Sequence, residues 1–92
     1  MIFFSFPENE VLAKSIAAKS NAALGEFQIH RFPDGETLIK INSDVKDKKV
    51  VLVCSLNNPN DKIIPLYFFV KTAKELGAKE VCLMTPYLSY MR

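Results

Sequence analysis

One short segment of this sequence combines side chains that suit the recognition of a nucleotide. In the turn RFPDGE at residues 31–36, the ring of Phe32 could stack on a base. The carboxylates of Asp34 and Glu36 could accept hydrogen bonds from a base amino group or a ribose. The same residue types also make an ordinary hairpin turn, because Pro presets φ, Asp bonds to the main chain and Gly tolerates a positive φ. Spacing alone favours the ordinary turn with solvated carboxylates.

Three further segments are less informative by themselves. Residues 87–92, YLSYMR, end in Arg92, whose planar guanidinium suits a phosphate, although a plain surface loop is the simpler interpretation. Residues 57–61, NNPND, could line a ligand crevice, but helix capping explains them. His30 has no second His or Cys near it in the sequence, so we interpret it as structural.

Several catalytic signatures are missing from the sequence. There is no Gly-rich phosphate loop, no GxSxG turn, and no activated nucleophile or acid–base pair. One His and two widely spaced cysteines do not supply a metal-ligand cluster. We therefore predict neither catalytic residues nor a metal site within this chain, and we interpret Cys54 and Cys82 as buried free thiols, typical of a reducing compartment.

The composition is that of one globular domain. The 92 residues are 49% hydrophobic and 24% charged, with a formal charge of +2 from scattered basic residues. This mild charge argues against nucleic acid or a membrane surface as a partner. Apolar runs fall short of the roughly 20 residues that a membrane span needs, and the amino terminus lacks the basic region of a signal peptide.

The first half of the chain alternates between strand and helix patterns. We predict a strand at Ile2–Phe6, then a helix capped by Asn9 that runs to about Ser20. Gly25 marks a turn. Alternating apolar residues at 27–32 and 37–41, on either side of the turn Pro33-Asp34-Gly35, predict a hairpin.

The second half predicts a βαβ unit. Val50–Ser55 and Glu80–Thr85 are buried strands, expected to be parallel with a right-handed crossover. Because Pro65 is tolerated only in a first turn, the intervening helix should start near Ile63 or Ile64 and end before Gly77. Ligands bind beyond the carboxyl ends of such strands. These ends are residues 57–61 and 86–92, so a chain that stops there is expected to be a fragment of a longer protein.

Taken together and in order, these segments resemble a known family. RFPDGET, LIKINSDVKDKKVVLV, NNPND and AKELGAKEVCLMTPYLSYMR are similar to the amino-terminal region of ribose-phosphate pyrophosphokinases, the phosphoribosyl-pyrophosphate synthetases. The most specific pieces are R-F-x-D-G-E and P-Y-x-x-Y-x-R. The resemblance implies an α/β fold: a partly parallel sheet with flanking helices, the amino-terminal half of a phosphoribosyltransferase-like domain. Residues 1–92 would form one incomplete domain of a longer two-domain enzyme.

The resemblance also implies an activity and a site. The full enzyme would be a cytoplasmic homo-oligomer that transfers diphosphate from Mg-ATP to ribose 5-phosphate for nucleotide biosynthesis. Phe32, Asp34 and Glu36 would contact ATP adenine across a subunit boundary, and Arg92 would contact the ATP phosphates. The catalytic cations and the Mg²⁺ ligands would lie outside these residues, so the chain alone is expected to be inactive.

One departure and one alternative remain open. Many members carry Arg-Gly where this chain has Lys46-Asp47, and that arginine helps to form an allosteric phosphate or ADP site. Lys46 is thus a candidate phosphate ligand without the planar fork of arginine. The alternative is a non-catalytic paralogue that regulates a synthetase partner. Retention of Phe32, Asp34, Glu36 and Arg92 favours the enzyme.

Overall fold

The computed structural model describes residues 1–55 and 59–86, which form a parallel sheet with helices on both faces and a separate hairpin. Along the chain the elements are β1 (Ile2–Ser5), a 3-10 turn (Pro7–Asn9), α1 (Glu10–Lys19), β2 (Ala23–Leu24), β3 (Phe27–Arg31), β4 (Thr37–Ile41), β5 (Lys49–Val53), α2 (Pro59–Glu75) and β6 (Glu80–Met84). The sheet has four parallel strands in the order β2-β1-β5-β6, and β3 pairs with β4 antiparallel. The predicted α/β class, the hairpin and the parallel βαβ unit are confirmed.

The two helices cover opposite faces of the sheet. Successive side chains of a strand point to opposite faces. On one face Phe3 and Val51 pack with Ala13 and Ala17 of α1, whose small side chains let the helix approach closely. On the other face the core includes Phe4, Leu52 and residues 69 and 73 of α2. The chain therefore winds outward in both directions from β1 and β5, and the strand order reverses between them.

The second helix begins earlier than its proline predicts. It starts at Pro59 rather than near Ile63 or Ile64, and Pro65 lies inside it. An interior proline costs about 3 kcal/mol because it removes one N–H donor and crowds the preceding turn. The burial of Pro65, and of Phe69 against the sheet, offsets that cost, since a fully buried large apolar side chain contributes roughly 1.5–3 kcal/mol.

The predicted end of α2 is confirmed. Gly77 has φ +94°, and its N–H donates to the carbonyl of Lys74 at 3.0 Å. The N–H of Ala78 donates to the carbonyl of Ala73, also at 3.0 Å. These two bonds form a Schellman motif, which satisfies the last carbonyls of the helix and needs a left-handed residue where Gly77 stands.

The hairpin is held on the α2 face of the sheet by one aromatic cluster. The ring of Phe27 lies 4.8 Å from that of Phe69, 5.9 Å from that of Phe6 and 6.1 Å from that of Phe4, measured between centroids. Ile39 on β4 is buried beside them. No helix in the described part of the chain is long and apolar enough to cross a membrane.

Candidate functional site

The RFPDGE segment forms a three-residue hairpin loop. The N–H of Phe32 donates to the carbonyl of Glu36 at 2.9 Å, and the N–H of Gly35 donates to the carbonyl of Phe32 at 3.0 Å. Gly35 has φ +92°, a conformation that suits the third residue of such a loop. Asp34 contributes as well, because its Oδ1 accepts the N–H of Glu36 at 3.1 Å. The local sequence alone therefore explains this tip, defined as residues 32–36.

The tip presents the predicted nucleotide-binding side chains together. Phe32, Asp34 and Glu36 are all exposed, and Phe32 retains 41% of its accessible surface. His30 lies on the same outer face of the hairpin, with its ring centroid 5.0 Å from that of Phe32. An exposed aromatic ring beside two carboxylates can stack on a base and accept hydrogen bonds from amino groups.

The end of β3 that leads into the tip lies at the carboxyl edge of the sheet. A cavity of about 380 Å³ joins the hairpin to the residues that follow β1 and to the first turns of α2. Its lining comprises Phe6, Pro7, Glu8, Ile29, Arg31, Asp61 and Lys62. Because Arg31 directly precedes the tip, the tip stands beside the edge where parallel sheets bind their ligands.

A polar cluster at the same edge was not foreseen from the sequence. Asn9 precedes α1 as predicted, but within the described residues its side chain makes no capping bond to that helix. It bonds instead to Ser55, two residues after the end of β5. The buried Lys62 ammonium pairs with Glu8 and donates to the carbonyl of Ser55. No short-range pattern signals this cluster, because its members come from three separate elements.

The two cysteines differ in their surroundings. Cys54 is buried as predicted, whereas Cys82 is only partly buried because β6 lies at the edge of the described sheet. Burial raises the pKa of the Cys54 thiol, an effect that Lys62 opposes and Glu8 reinforces. A hydrogen bond from the Cys82 thiol to the Glu80 carboxylate, together with slight desolvation, raises the pKa of Cys82. Both groups are thus protonated thiols near neutral pH and poor nucleophiles.

Other predicted residues lie away from the tip or outside the described residues. Lys46 is exposed, and its side chain lies against Gly77, at the opposite, amino edge of the sheet. Arg92 and residues 57 and 58 fall outside the described ranges. Within those ranges no group of three or more His, Cys, Asp or Glu side chains could hold a metal ion.

Comparison with known proteins gives one consistent family. A family model described as the N-terminal domain of ribose phosphate pyrophosphokinase matches residues 1–92. The ribose-phosphate pyrophosphokinase of Fusobacterium nucleatum is 39% identical over 90 residues, covering 97% of this chain and 28% of the relative. That of Saccharolobus solfataricus is 42% identical over 62 residues, covering 66% of this chain and 21% of the relative. The chain thus spans less than a third of the length of these relatives.

Solved structures support the fold. The phosphoribosylpyrophosphate synthetase of Mycobacterium smegmatis superposes with a TM-score of 0.81 at 19% identity, covering 97% of this chain and 30% of that one. A purine phosphoribosyltransferase from Pyrococcus horikoshii superposes with a TM-score of 0.70 at 21% identity, covering 98% of this chain and 64% of that one. At these identities the likeness shows the fold alone, and it confirms the predicted phosphoribosyltransferase-like architecture.

Proposed function

The chain belongs to the family of amino-terminal domains of ribose-phosphate pyrophosphokinases, and we propose that it serves such an enzyme as part of its ATP site. In this proposal the full-length protein transfers diphosphate from Mg-ATP to ribose 5-phosphate. Residues 1–92 form an incomplete domain that supplies no catalytic residue of its own. The observation that carries the proposal is the exposed tip, which presents Phe32, Asp34 and Glu36 together directly after Arg31, beside the carboxyl edge of the sheet.

Three tip side chains and Arg92 have separate roles in the proposed site. Phe32 stacks on the adenine ring, a contact of the kind that contributes about 1–3 kcal/mol per base. Glu36 accepts a hydrogen bond from the adenine amino group. Asp34 acts as a second acceptor and also holds the tip, because its Oδ1 is already bonded to the N–H of Glu36. Arg92 binds the ATP phosphates through its guanidinium.

The tip favours an ATP site shared between two copies of the chain. Its side chains are exposed at the end of a hairpin rather than gathered in a cleft of their own domain. A ligand on Phe32 would leave one face uncovered, and a second copy in a homo-oligomer supplies that cover. Mg²⁺ enters with ATP and neutralises phosphate charge when bound, held by groups outside the described residues. The free thiols of Cys54 and Cys82 support a reducing compartment such as the cytoplasm.

A separate anion site at Lys46 forms the regulatory part of the proposal. Lys46 is exposed at the amino edge of the sheet, away from the tip, so phosphate bound there would not compete with ATP at Phe32. We expect Lys46→Met in the full-length enzyme to change activation by inorganic phosphate while leaving the KM for ATP unchanged. An unaltered phosphate response would remove Lys46 from the proposal.

The central test measures AMP formation from ATP by the full-length protein, with and without ribose 5-phosphate. Phe32→Ala should raise the KM for ATP about 5- to 150-fold, which corresponds to the loss of one base stack of about 1–3 kcal/mol. The KM for ribose 5-phosphate should stay constant. Leu38→Ala is the matched control, because Leu38 is exposed on the same hairpin but outside the tip.

Three outcomes separate the alternatives. A ribose 5-phosphate-dependent wild type with an ATP-specific defect in Phe32→Ala supports the enzyme and its site. An active wild type in which Phe32→Ala and Leu38→Ala behave alike places the adenine elsewhere. A wild type that makes no AMP favours the non-catalytic paralogue, and binding to an active synthetase then becomes the relevant assay. The chain of residues 1–92 alone should show no transfer.

A further inference from the structure

Ser55, where β5 leaves the sheet, is held at each of its polar positions. Its N–H donates to Asn9 Oδ1 at 2.9 Å, and its Oγ accepts from Asn9 Nδ2 at 2.9 Å. Its carbonyl accepts from Lys62 Nζ at 2.6 Å, and Glu8 pairs with the same ammonium. We call Glu8, Asn9 and Lys62 the clamp. It joins the segment after β1, the end of β5 and the start of α2 into one unit.

Ordinary structural roles do not account for the clamp. Asn9 occupies the cap position of α1, yet among the described residues it gives its amide to Ser55, 46 positions away, and not to the helix. Lys62 retains only 9% of its accessible surface, although lysine is rarely buried. Asn9 and Lys62 are the buried polar side chains of the described core. Because the side chain of Glu8 keeps 42% of its surface accessible, its ion pair with Lys62 adds little net stability, so stability is a poor explanation for this arrangement.

The clamp lies where a ligand-binding edge must be held in place. It spans the gap between β1 and β5, where the strand order reverses and doubly wound sheets form their crevice. Glu8 and Lys62 also line the cavity of about 380 Å³ that reaches Arg31, next to the tip. Movement of the Ser55 peptide would therefore shift Glu8 and Lys62. These two residues form part of the cavity wall between the carboxyl ends of the strands and the hairpin.

We propose that Glu8, Asn9 and Lys62 are positioning residues, which hold the Ser55 peptide and thereby orient the carboxyl edge of this domain for diphosphate transfer. The inference rests on the proposed function of the full-length protein. None of the three needs to touch substrate. Their contribution is geometric, and small displacements of positioning groups can lower rates by a factor on the order of 100.

The test compares three lysine variants of the full-length protein. Lys62→Met keeps an unbranched side chain but leaves the Ser55 carbonyl without its ammonium donor. Lys62→Arg keeps the positive charge and the donors. Lys14→Met is the matched control, because Lys14 forms an exposed ion pair with Glu10 at 3.0 Å on α1, away from the clamp. The measurements are kcat and KM for both substrates, Tm, and hydrogen exchange of the Ser55 amide.

The clamp predicts a pattern that loss of stability alone does not produce. Well below its Tm, Lys62→Met should lower kcat/KM at least tenfold and speed exchange of the Ser55 amide. Lys62→Arg should restore kcat/KM to within threefold of wild type, and Lys14→Met should match wild type. If Lys62→Met does not fold, Asn9→Asp replaces it. That variant keeps the acceptor for the Ser55 N–H, loses the amide donor to Ser55 Oγ, and should lower kcat/KM at least threefold.

Two results would overturn the inference, and they are distinguishable. If the wild type is active and the clamp variants keep kcat and KM within twofold, the clamp is structural only, whatever its effect on Tm. If the wild type transfers no diphosphate, the proposed function fails and the positioning role fails with it.

Discussion

Replacing Gly35 by alanine should damage the tip while sparing the core. Gly35 has φ +92°, and a β-carbon there would have no described atom within 4 Å, so the backbone conformation alone sets the penalty. An L-residue in this region costs roughly 1–2 kcal/mol. Alanine also lowers the conformational entropy of the unfolded chain relative to glycine, which raises the unfolding free energy by about 0.4–1 kcal/mol. The net destabilisation is therefore about 1 kcal/mol.

The functional consequence should exceed the loss of stability. The chain can relieve the strain by opening the 3.0 Å bond from the Gly35 N–H to the Phe32 carbonyl. Without this bond, the side chains of Phe32, Asp34 and Glu36 are no longer held in their native orientations. We expect the KM for ATP of the full-length protein to rise about tenfold, corresponding to about 1.4 kcal/mol.

Gly25→Ala is the contrasting substitution. A β-carbon on Gly25 would lie 2.5 Å from Cε2 and Cζ of Phe4 and 3.0 Å from Cδ1 of Ile2. Phe4 is fully buried, so its ring has no free space to enter. Overpacking of this kind typically costs 1–3 kcal/mol. The variant should lose about 2–3 kcal/mol of unfolding free energy, with an unchanged KM for ATP in the molecules that remain folded.

Two assays compare the Gly35→Ala and Gly25→Ala variants and test whether stability and ATP binding are affected separately. Urea unfolding of the 92-residue chain gives the two losses of stability, and ATP saturation kinetics of the full-length protein give the two KM values. The reasoning is refuted if Gly35→Ala destabilises the chain more than Gly25→Ala. It is refuted equally if Gly25→Ala raises the KM for ATP and Gly35→Ala does not.

The remaining predictions concern Asp34 and the two thiols. Asp34→Asn keeps an acceptor for the N–H of Glu36 and should leave stability within about 0.5 kcal/mol, whereas Asp34→Ala should lose about 1 kcal/mol in urea unfolding; equal losses would contradict this. Because its pKa is raised, Cys82 should react with iodoacetamide more slowly than free cysteine at pH 8, and faster as the pH rises and thiolate forms. Cys54 is buried and should react only after the chain unfolds. Mass spectrometry of the labelled chain measures both rates. If Cys54 in the folded chain is labelled as fast as Cys82, this prediction is wrong.

Elements with a local cause are predictable from the sequence. The hairpin is one example, because alternating apolar residues and the turn Pro33-Asp34-Gly35 each specify their own backbone. The start of α2 is not predictable in this way. The penalty of Pro65 is local, but the burial that offsets it depends on how α2 packs in the folded domain. β2 was missed for a different reason. It has two exposed residues, and only the parallel neighbour β1 gives them strand geometry.

The candidate site divides in the same way. Phe32, Asp34 and Glu36 lie within five consecutive residues, so sequence reasoning could place them on one tip. The bond between Asn9 and Ser55 spans 46 positions, and nothing near Asn9 distinguishes it from a helix cap. Long-range contacts of this kind leave no periodic signal, because either partner alone fits an ordinary local role.

The placement of the tip depends on the core more than on strand pairing. A two-stranded hairpin by itself is marginally stable in water, and β3–β4 has no ladder with the parallel sheet in the described structure. Its anchor is Phe27, whose ring packs with Phe4 and Phe69, and thereby with β1 and α2. The clamp joins the turn that follows β1 to the start of α2 through Ser55. Phe27 and the clamp therefore both hold the β1 region and α2 in a fixed relative position. This packing, and not strand pairing with the parallel sheet, positions the tip.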